Sequence, residues 1–453
     1  MKDKLVKLRL NTSGKILKNL STLQDTEWLN KNQVKSIQQR RLTDLVKYAH
    51  ENVPYYRENL PFHSIINNDG LIDFSQLSKI PILTKSIIRN HFEELKSEKL
   101  DAMNWYQNTS GGSTGEPILF IQHKEVKEWE QSVKLLFDEW SGKSIGEKQI
   151  RLWGSQRDLL VGNENLRSKF GKWMRNEVWL NAFSLSDERM LDYVDQINSI
   201  KPVQILAYAE SIYELSVFIE EHKLKVHSPK SIMTSAGTLY PHMREVIERV
   251  FKTKVFNRYG SREVGDIACE CNHHNGLHIS SLTHYVEILK SDHSPADKGE
   301  MGEIIVTPLM NFGMPLIRYK IGDMGKWAEE ECSCGRGLPL LKEVSGRVTD
   351  TFITKEKKPI YGAYFAMLFY HKDWIKKFQI IQEDYELIKL SLVLKNQYVM
   401  NPFEVYSEEI SKITKDIKDV MGPNCDVSFD FLQKIESSPS GKHRALISKV
   451  KRD

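Results

Sequence analysis

The rhythm of hydrophobic and polar positions changes twice along this 453-residue chain. Up to about residue 100 the spacing is helical: over Thr43 to Glu58, Leu45, Tyr48, Ala49 and Val53 fall near one face, and Pro54 ends the pattern. That stretch reads as a mostly helical scaffold. From about 105 to 325, short β-rich runs alternate with helical patterns, the runs being Ile118 to Gln122, Gln149 to Trp153, Ile232 to Ser235, Val255 to Arg258 and Glu303 to Val306. One helical pattern sets Val126, Trp129, Val133, Leu136, Phe137 and Trp140 at helical spacing, and both tryptophans are expected in the core. Such an order predicts an α/β domain. After Gly346 the pattern changes: Ile388, Leu390, Leu392 and Leu394 alternate as a strand, and Val427, Phe429 and Phe431 alternate again. Between them a helix is expected to lay Phe403, Tyr406, Ile410, Ile413, Ile417 and Val420 on a sheet. The fold class is therefore a large α/β N-terminal domain, residues 1–346, and a small α+β C-terminal domain, residues 347–453, joined near Gly346 to Asp350.

Composition narrows the class. The length exceeds what one core sustains, which favours a large enzyme with a buried site. With 64 Lys+Arg against 60 Asp+Glu the net charge is +4, and no long basic block marks a nucleic-acid surface. The start, Met1-Lys2-Asp3-Lys4, has no apolar signal core, and no 18-residue apolar run follows, so a cytoplasmic protein without a membrane span is expected, as monomer or homodimer. Five cysteines are too few for a disulfide scaffold, yet four form the Cys-x-Cys pairs Cys269/Cys271 and Cys332/Cys334. In a reducing compartment that pattern points to metal. Cys425 reads as a small apolar filler.

Five short motifs carry candidate chemistry. Ser110-Gly111-Gly112-Ser113-Thr114-Gly115 leads into a β-rich run, and its glycines let backbone N–H groups turn toward an anion. It lacks the Gly-Lys-Ser/Thr of a P-loop. Asn257-Arg258-Tyr259-Gly260-Ser261-Arg262-Glu263 follows a strand with an aromatic side chain suited to an adenine and a carboxylate suited to Mg²⁺. Pro315-Leu316-Ile317-Arg318-Tyr319-Lys320-Ile321-Gly322-Asp323 ends in an acid that could hold a ribose diol. Gly346-Arg347-Val348-Thr349-Asp350 and Ser440-Gly441-Lys442-His443-Arg444 complete the series. Each alone is an ordinary loop.

In this order the five motifs resemble those of the adenylate-forming ligases, and most closely the phenylacetate-CoA ligase and CapK-like branch. Tyr48-Ala49 with Asn52-Val53-Pro54-Tyr55-Tyr56, Ile80-Pro81-Ile82-Leu83-Thr84-Lys85, Pro315 to Tyr319 and Cys332-Ser333-Cys334-Gly335-Arg336 add to the likeness, which runs from about residue 40 to about 448. The resemblance implies ATP-dependent formation of an acyl-AMP and transfer of the acyl group to a thiol, with CoA as the first acceptor to consider. An amine or hydroxyl acceptor in surface-polysaccharide or natural-product biosynthesis is the alternative, and a degenerate nucleotide-binding interaction protein is the reading from another class. It implies, too, that Ser110 to Gly115 wrap the ATP phosphates and that Tyr259 and Gly260 border the adenine, Ser261 lying in the same turn. By the same likeness Glu263 holds Mg²⁺, Asp323 takes the ribose hydroxyls with Arg347 beside them, and Lys442 is the mobile catalytic lysine. The acyl pocket is expected between Trp153 and Thr238, walled by Tyr208, Ala209, Ser235, Ala236 and Gly237, the last three also beside the nucleotide, with Trp153 and Tyr208 as candidate acyl contacts. Two positions depart from the pattern: Ile118 stands where many adenylating enzymes have lysine, and Thr349 precedes Asp350, the candidate pivot, where relatives often pair acids.

The cysteine pairs could form a tetrahedral thiolate zinc site, with His273, His274 and His278 close in sequence. The branch pattern of Glu-Cys followed by Gly-Leu-His fits Glu270-Cys271 and Gly276-Leu277-His278, and thereby favours Cys271, His278, Cys332 and Cys334. A set using Cys269, one using His274, and four unmetallated thiols are the alternatives. A zinc with four protein ligands is structural, because no position is left for substrate.

Overall fold

A computed structural model describes the chain outside residues 1–5, 7–9, 11–13, 111–116, 154–170, 172–174, 183–184, 348–351, 361–363, 366–367, 370–371, 373, 397–398, 436–444 and 451–453. It divides into two compact units, Met1–Ile321 with Gly325–Val344, and Gly322–Met324 with Ser345–Asp453.

In the larger unit the N-terminal segment is helical. The helix Lys31–Asn52 starts in a capping box, where the Asn30 side chain accepts from the Gln33 N–H and the Gln33 side chain from the Asn30 N–H. It stops at Asn52, and Pro54 opens the next helix, Pro54–Asn59, at its first position, where a missing N–H costs nothing. Strands β1 (Trp105–Thr109) and β2 (Leu119–His123) form an antiparallel hairpin. The helix Lys124–Trp140 follows and buries Val126, Val133, Leu136, Phe137 and Trp140. Trp129 is only half-buried, with the Arg41 guanidinium 5.0 Å from its ring centre.

Among the described residues nine further strands lie wholly in this unit: β3 (Gln149–Trp153), β4 (Glu177–Asn181), β5 (Gln204–Tyr208), β6 (Ser231–Ser235), β7 (Val255–Ser261), β8 (Gly265–Glu270), β9 (Leu277–Ile279), β10 (His284–Leu289) and β11 (Met301–Pro308). With β12 (Tyr319–Trp327) and β13 (Leu340–Arg347) they make one sheet of eleven strands in the order β10-β11-β12-β13-β9-β8-β7-β6-β5-β3-β4. Neighbours from β4 to β7 pair in parallel, and β7 turns back antiparallel onto β8. The sheet thus changes character at the β7–β8 turn. Helices Asp187–Ile200, Ala209–Glu221 and Pro241–Phe251 alternate with the parallel strands, as crossover connections between parallel strands require. β5 and β6 are buried along their whole length, so Ile205 to Ala207 run apolar without alternation, and the polar residues of β6 are the small Ser231, Thr234 and Ser235.

The smaller unit holds the short pair β14 (Phe352–Ile353) and β15 (Pro359–Ile360), and a four-stranded sheet ordered β18-β17-β16-β19. Its strands are β16 (Ile375–Asp384), β17 (Leu387–Leu394), β18 (Asp426–Phe431) and β19 (Leu446–Ser448). The helix Ser407–Met421 buries Ile413, Ile417 and Met421. The expected single apolar stripe is corrected here: Pro402–Val405 is a separate short helix, and Phe403 is 53% exposed. Pro402 at its first position starts a new turn, and the chain breaks at Tyr406, so Phe403 leaves the face that Ile413 and Ile417 share.

Candidate active site and metal centre

Ser110 closes the neck of the glycine-rich loop. Its N–H donates to the Ile118 carbonyl at 3.0 Å, and its Oγ accepts from the Ile118 N–H at 2.9 Å. The β1–β2 ladder therefore fixes both ends of the loop. Gly111, Gly112, Ser113, Thr114 and Gly115 themselves lie outside the described residues, as do Thr349, Asp350 and Lys442.

At the end of β6, Ser235 is buried and Ala236 has φ +63°. A non-glycine residue in that region is strained, and such strain gathers where a backbone must present itself to a ligand. A Cβ on Gly237 would fall 2.3 Å from a Glu210 carboxylate oxygen, so only glycine lets that acid approach. Tyr259 is buried on β7. A Cβ on Gly260 would stand 2.5 Å from the Gly265 carbonyl oxygen, a close approach that permits the sharp β7–β8 turn. Ser261 Oγ is buried and has no hydrogen-bond partner among the described residues.

Glu263 sits in this turn at 8% exposure, and the Tyr319 hydroxyl donates to its Oε1 at 3.4 Å. Tyr319 is wholly buried and opens β12, the strand that also carries Asp323. Arg318, one residue earlier, has φ +52°, pairs through Nε and Nη2 with both Glu287 oxygens at 3.0 Å, and donates from Nη1 to the Ile80 carbonyl at 2.6 Å. The Pro315-to-Tyr319 motif is thus a fastening for the N-terminal segment. Arg347 belongs to β13. Trp153 and Tyr208 pack on each other, their ring centres 4.3 Å apart.

The cysteine and histidine donors fall into two sets. Donor atoms of Cys271, His278, Cys332 and Cys334 all lie within 4.8 Å of one another. Zn–S bonds of about 2.3 Å and a Zn–N bond of about 2.0 Å, at tetrahedral angles, put sulfurs about 3.8 Å apart and sulfur from nitrogen about 3.5 Å. Here Cys271 Sγ is 3.7 Å from Cys332 Sγ, and Cys334 Sγ is 3.3 Å from His278 Nε2. The donor set therefore fits zinc. Backbone N–H groups of His273 and Arg336 point at the Cys271 and Cys334 sulfurs at 3.4 and 3.5 Å, as suits thiolates. Burial holds the His278 imidazole down at about 4, leaving it neutral and able to ligate. Cys269 lies elsewhere, wholly buried in an apolar cluster with Leu136, Met233 and Leu282. His274 is turned to Glu270, 3.3 Å from its Oε2, and against the Phe256 ring.

A wider shell surrounds this cluster that the sequence did not single out. Arg336 donates from Nε to Glu27 Oε2 at 2.9 Å, with its guanidinium 4.6 Å from the Trp28 ring centre and 4.8 Å from that of Trp140. Trp140 donates to the same Glu27 oxygen at 2.6 Å. The two tryptophans and Arg336 thereby tie the cysteine loop to the first helices.

Comparison with known proteins agrees with this fold. Residues 352–449 match the family model of the CapK C-terminal domain. Protein CapK of Staphylococcus aureus is 25% identical over 431 residues, covering 93% of this chain and 90% of that protein. Phenylacetate-coenzyme A ligase of Thermus thermophilus is 23% identical over 452 residues, covering 93% and 98%. Among solved structures, 2-hydroxyisobutyryl-CoA ligase in the postadenylation state superimposes with a TM-score of 0.72 at 16% identity, covering 94% of this chain and 91% of that one. These findings show the likeness read from the motifs: the chain has the adenylate-forming ligase architecture, and its likeness is to AMP-forming ligases of the phenylacetate-CoA ligase and CapK-like branch.

Proposed function

We propose, from that likeness, that this chain uses ATP to convert a carboxylic acid to its acyl-AMP with release of pyrophosphate, and then passes the acyl group to a thiol, CoA being the first to test. The observation that carries the reading is Glu263, a carboxylate kept buried in the Tyr259–Glu263 turn and held by Tyr319. A surface turn acid would be hydrated and loose. Here the buried acid stands where the sheet changes from parallel to antiparallel, the kind of place where α/β folds bind ligands.

In the reaction an oxygen of the substrate carboxylate attacks the α-phosphorus of ATP, and the bond from that phosphorus to the bridging oxygen breaks. No proton moves, so no general base is required. The obstacle is repulsion between two anions, and the proposed residues answer it by alignment and by charge. Ser110 to Gly115 hold the phosphates, Tyr259 and Gly260 border the adenine beside Ser235, Ala236 and Gly237, and Asp323 with Arg347 receives the ribose. Glu263 would hold Mg²⁺, which when bound offsets phosphate charge. Lys442 places its ammonium between carboxylate and α-phosphate as the pentavalent centre forms. Zinc at Cys271, His278, Cys332 and Cys334 would be structural, joining the segment after β8 to the loop before β13.

ATP–pyrophosphate exchange tests the reading: label should enter ATP only with the right acid present, and no exchange across aryl, fatty and amino acids would reject it. The resemblance to CapK-like proteins leaves a second reading, in which the same acyl-AMP is delivered to an amine or hydroxyl. Release of AMP with a hydroxyl or amine acceptor, but none with CoA, would favour it.

A further inference from the structure

Two carboxylates converge on one cavity beside the Tyr259–Glu263 turn. Glu130, on the helix Lys124–Trp140, and Asp266, on β8, line it together with Trp129, Val264, Thr283 and Asn311. The free space is about 20 Å³, room for one group the size of a water molecule, which is also the size of an ammonium. Two glycines fix its place. A Cβ on Gly260 would stand 3.1 Å from Asp266 Oδ1, and one on Gly265 would stand 3.1 Å from Glu130 Oε1. Gly260, which the proposed function puts beside the nucleotide, packs against Asp266, so the cavity lies next to that proposed site.

Among the described residues the pair is short of donors. Glu130 Oε1 accepts one hydrogen bond, from Gln122 Nε2 at 3.1 Å. Asp266 is 8% exposed and forms an ion pair with Arg258, whose Nε lies 3.5 Å from Oδ1, too far for a good hydrogen bond; among the described residues its Oδ2 has no partner. Burial raises the pKa of the Glu130 carboxyl and the Asp266 charge adds to that, against the opposing pull of Lys134 and Lys127 on the same helix. A buried carboxylate oxygen without a donor is costly to keep, and an apolar acyl group would leave it so.

We infer that Glu130 and Asp266 receive a cation carried by the substrate, so that the acid activated is one bearing an ammonium group, an amino acid or another aminoalkyl carboxylic acid. An ammonium brings three donors and a positive charge to a pair in which Gln122 donates to Glu130 Oε1 and Arg258 faces Asp266 Oδ1, while Asp266 Oδ2 has no donor among the described residues. The inference rests on the adenylation reading and names the substrate class for it. Sites built around polar groups reject analogues that lack the matching donor, so selectivity of about tenfold to a hundredfold between an amino acid and its des-amino analogue is expected.

The test uses matched pairs: β-alanine with propionate, 4-aminobutyrate with butyrate, and phenylalanine with 3-phenylpropionate. Each is measured by ATP–pyrophosphate exchange and by calorimetric titration of the full chain. At least one amino member should exceed its partner tenfold or more in both, and Asp266→Asn should shrink that ratio by about tenfold. Glu130→Gln serves as a second variant should Asp266→Asn fail to fold. Preference for the neutral member throughout, an unchanged ratio in the variants, or no binding of any amino member would each overturn the inference. Absence of exchange with every acid would instead reject adenylation, while the calorimetric ratio still decides the role of the pair.

Discussion

Replacing Cys332 by serine takes one thiolate from a set of four whose spacing fits a tetrahedral ion. The proposed zinc closes a loop between Cys271 and Cys332, 61 residues apart, and the chain-entropy argument for such a cross-link gives about 4 kcal/mol. In a unit this large each kcal/mol moves Tm by about 2 °C, so Cys332→Ser should lower it by roughly 5 to 10 °C. Zinc should fall from one per chain to none by elemental analysis, since binding and folding are linked. Cys269→Ser supplies the control. That thiol is wholly buried among apolar side chains, and a hydroxyl there lacks a partner, at a cost of about 1–3 kcal/mol. It should therefore also lower Tm, yet keep one zinc per chain. The two variants differ in metal and not merely in stability. Wild-type protein without stoichiometric zinc and indifferent to chelators, or equal metal loss in both variants, would refute the reasoning.

Three further outcomes can be measured, two from the proposed mechanism and one from burial. Lys442→Ala should keep ATP affinity and lose roughly 10²- to 10³-fold in acyl-AMP formation, because the charge acts mainly in the transition state; near-normal exchange would remove Lys442 from the mechanism. Glu263→Gln should raise the Mg²⁺ concentration needed for exchange by roughly 10- to 100-fold, and an unchanged requirement would make Glu263 a turn residue only. Burial holds the His284 imidazole, at 4% exposure, down at about 4, whereas the unfolded chain titrates near 6.5. Its contribution is then complete above 6.5 and is lost as pH falls toward 4, about 3 kcal/mol in all, so denaturant midpoints should drop over that window. His284→Gln should flatten that drop, and an unchanged slope would show that the histidine titrates normally.

Much of this was legible in the sequence, and for local reasons. The helix Lys124–Trp140 shows its apolar face at a 3.6-residue period, and β3 has the bounds its alternation implies, Gln149–Trp153. The antiparallel half of the sheet was read poorly. β8 and β9 are buried on both faces apart from Gly265, and β12 carries Lys320, Asp323 and Lys326 among apolar residues, so neither a clean alternation nor a continuous apolar run marks them. Phe403 was misplaced because a 3/4 spacing continues through Pro402 and Tyr406 while the backbone helix does not.

The sequence by itself determined the kinds of chemistry: thiols and imidazole for a metal, a glycine turn with a carboxylate for a nucleotide, and a motif order that resembles one family of ligases. Pairing across the chain was decided only by the tertiary structure. The resemblance favoured Cys271 over Cys269, and the structure agrees, although in a continuous strand the two would face the same side. β8 ends at Glu270, so Cys269 stays in the core while Cys271 turns out to meet Cys332 and His278. Glu130 and Asp266 belong to a helix and a strand that no local pattern links, and they share a cavity because that helix packs over the β7–β8 turn. Local periodicity reports which face of an element is buried; which residues from distant segments meet there depends on how the elements pack.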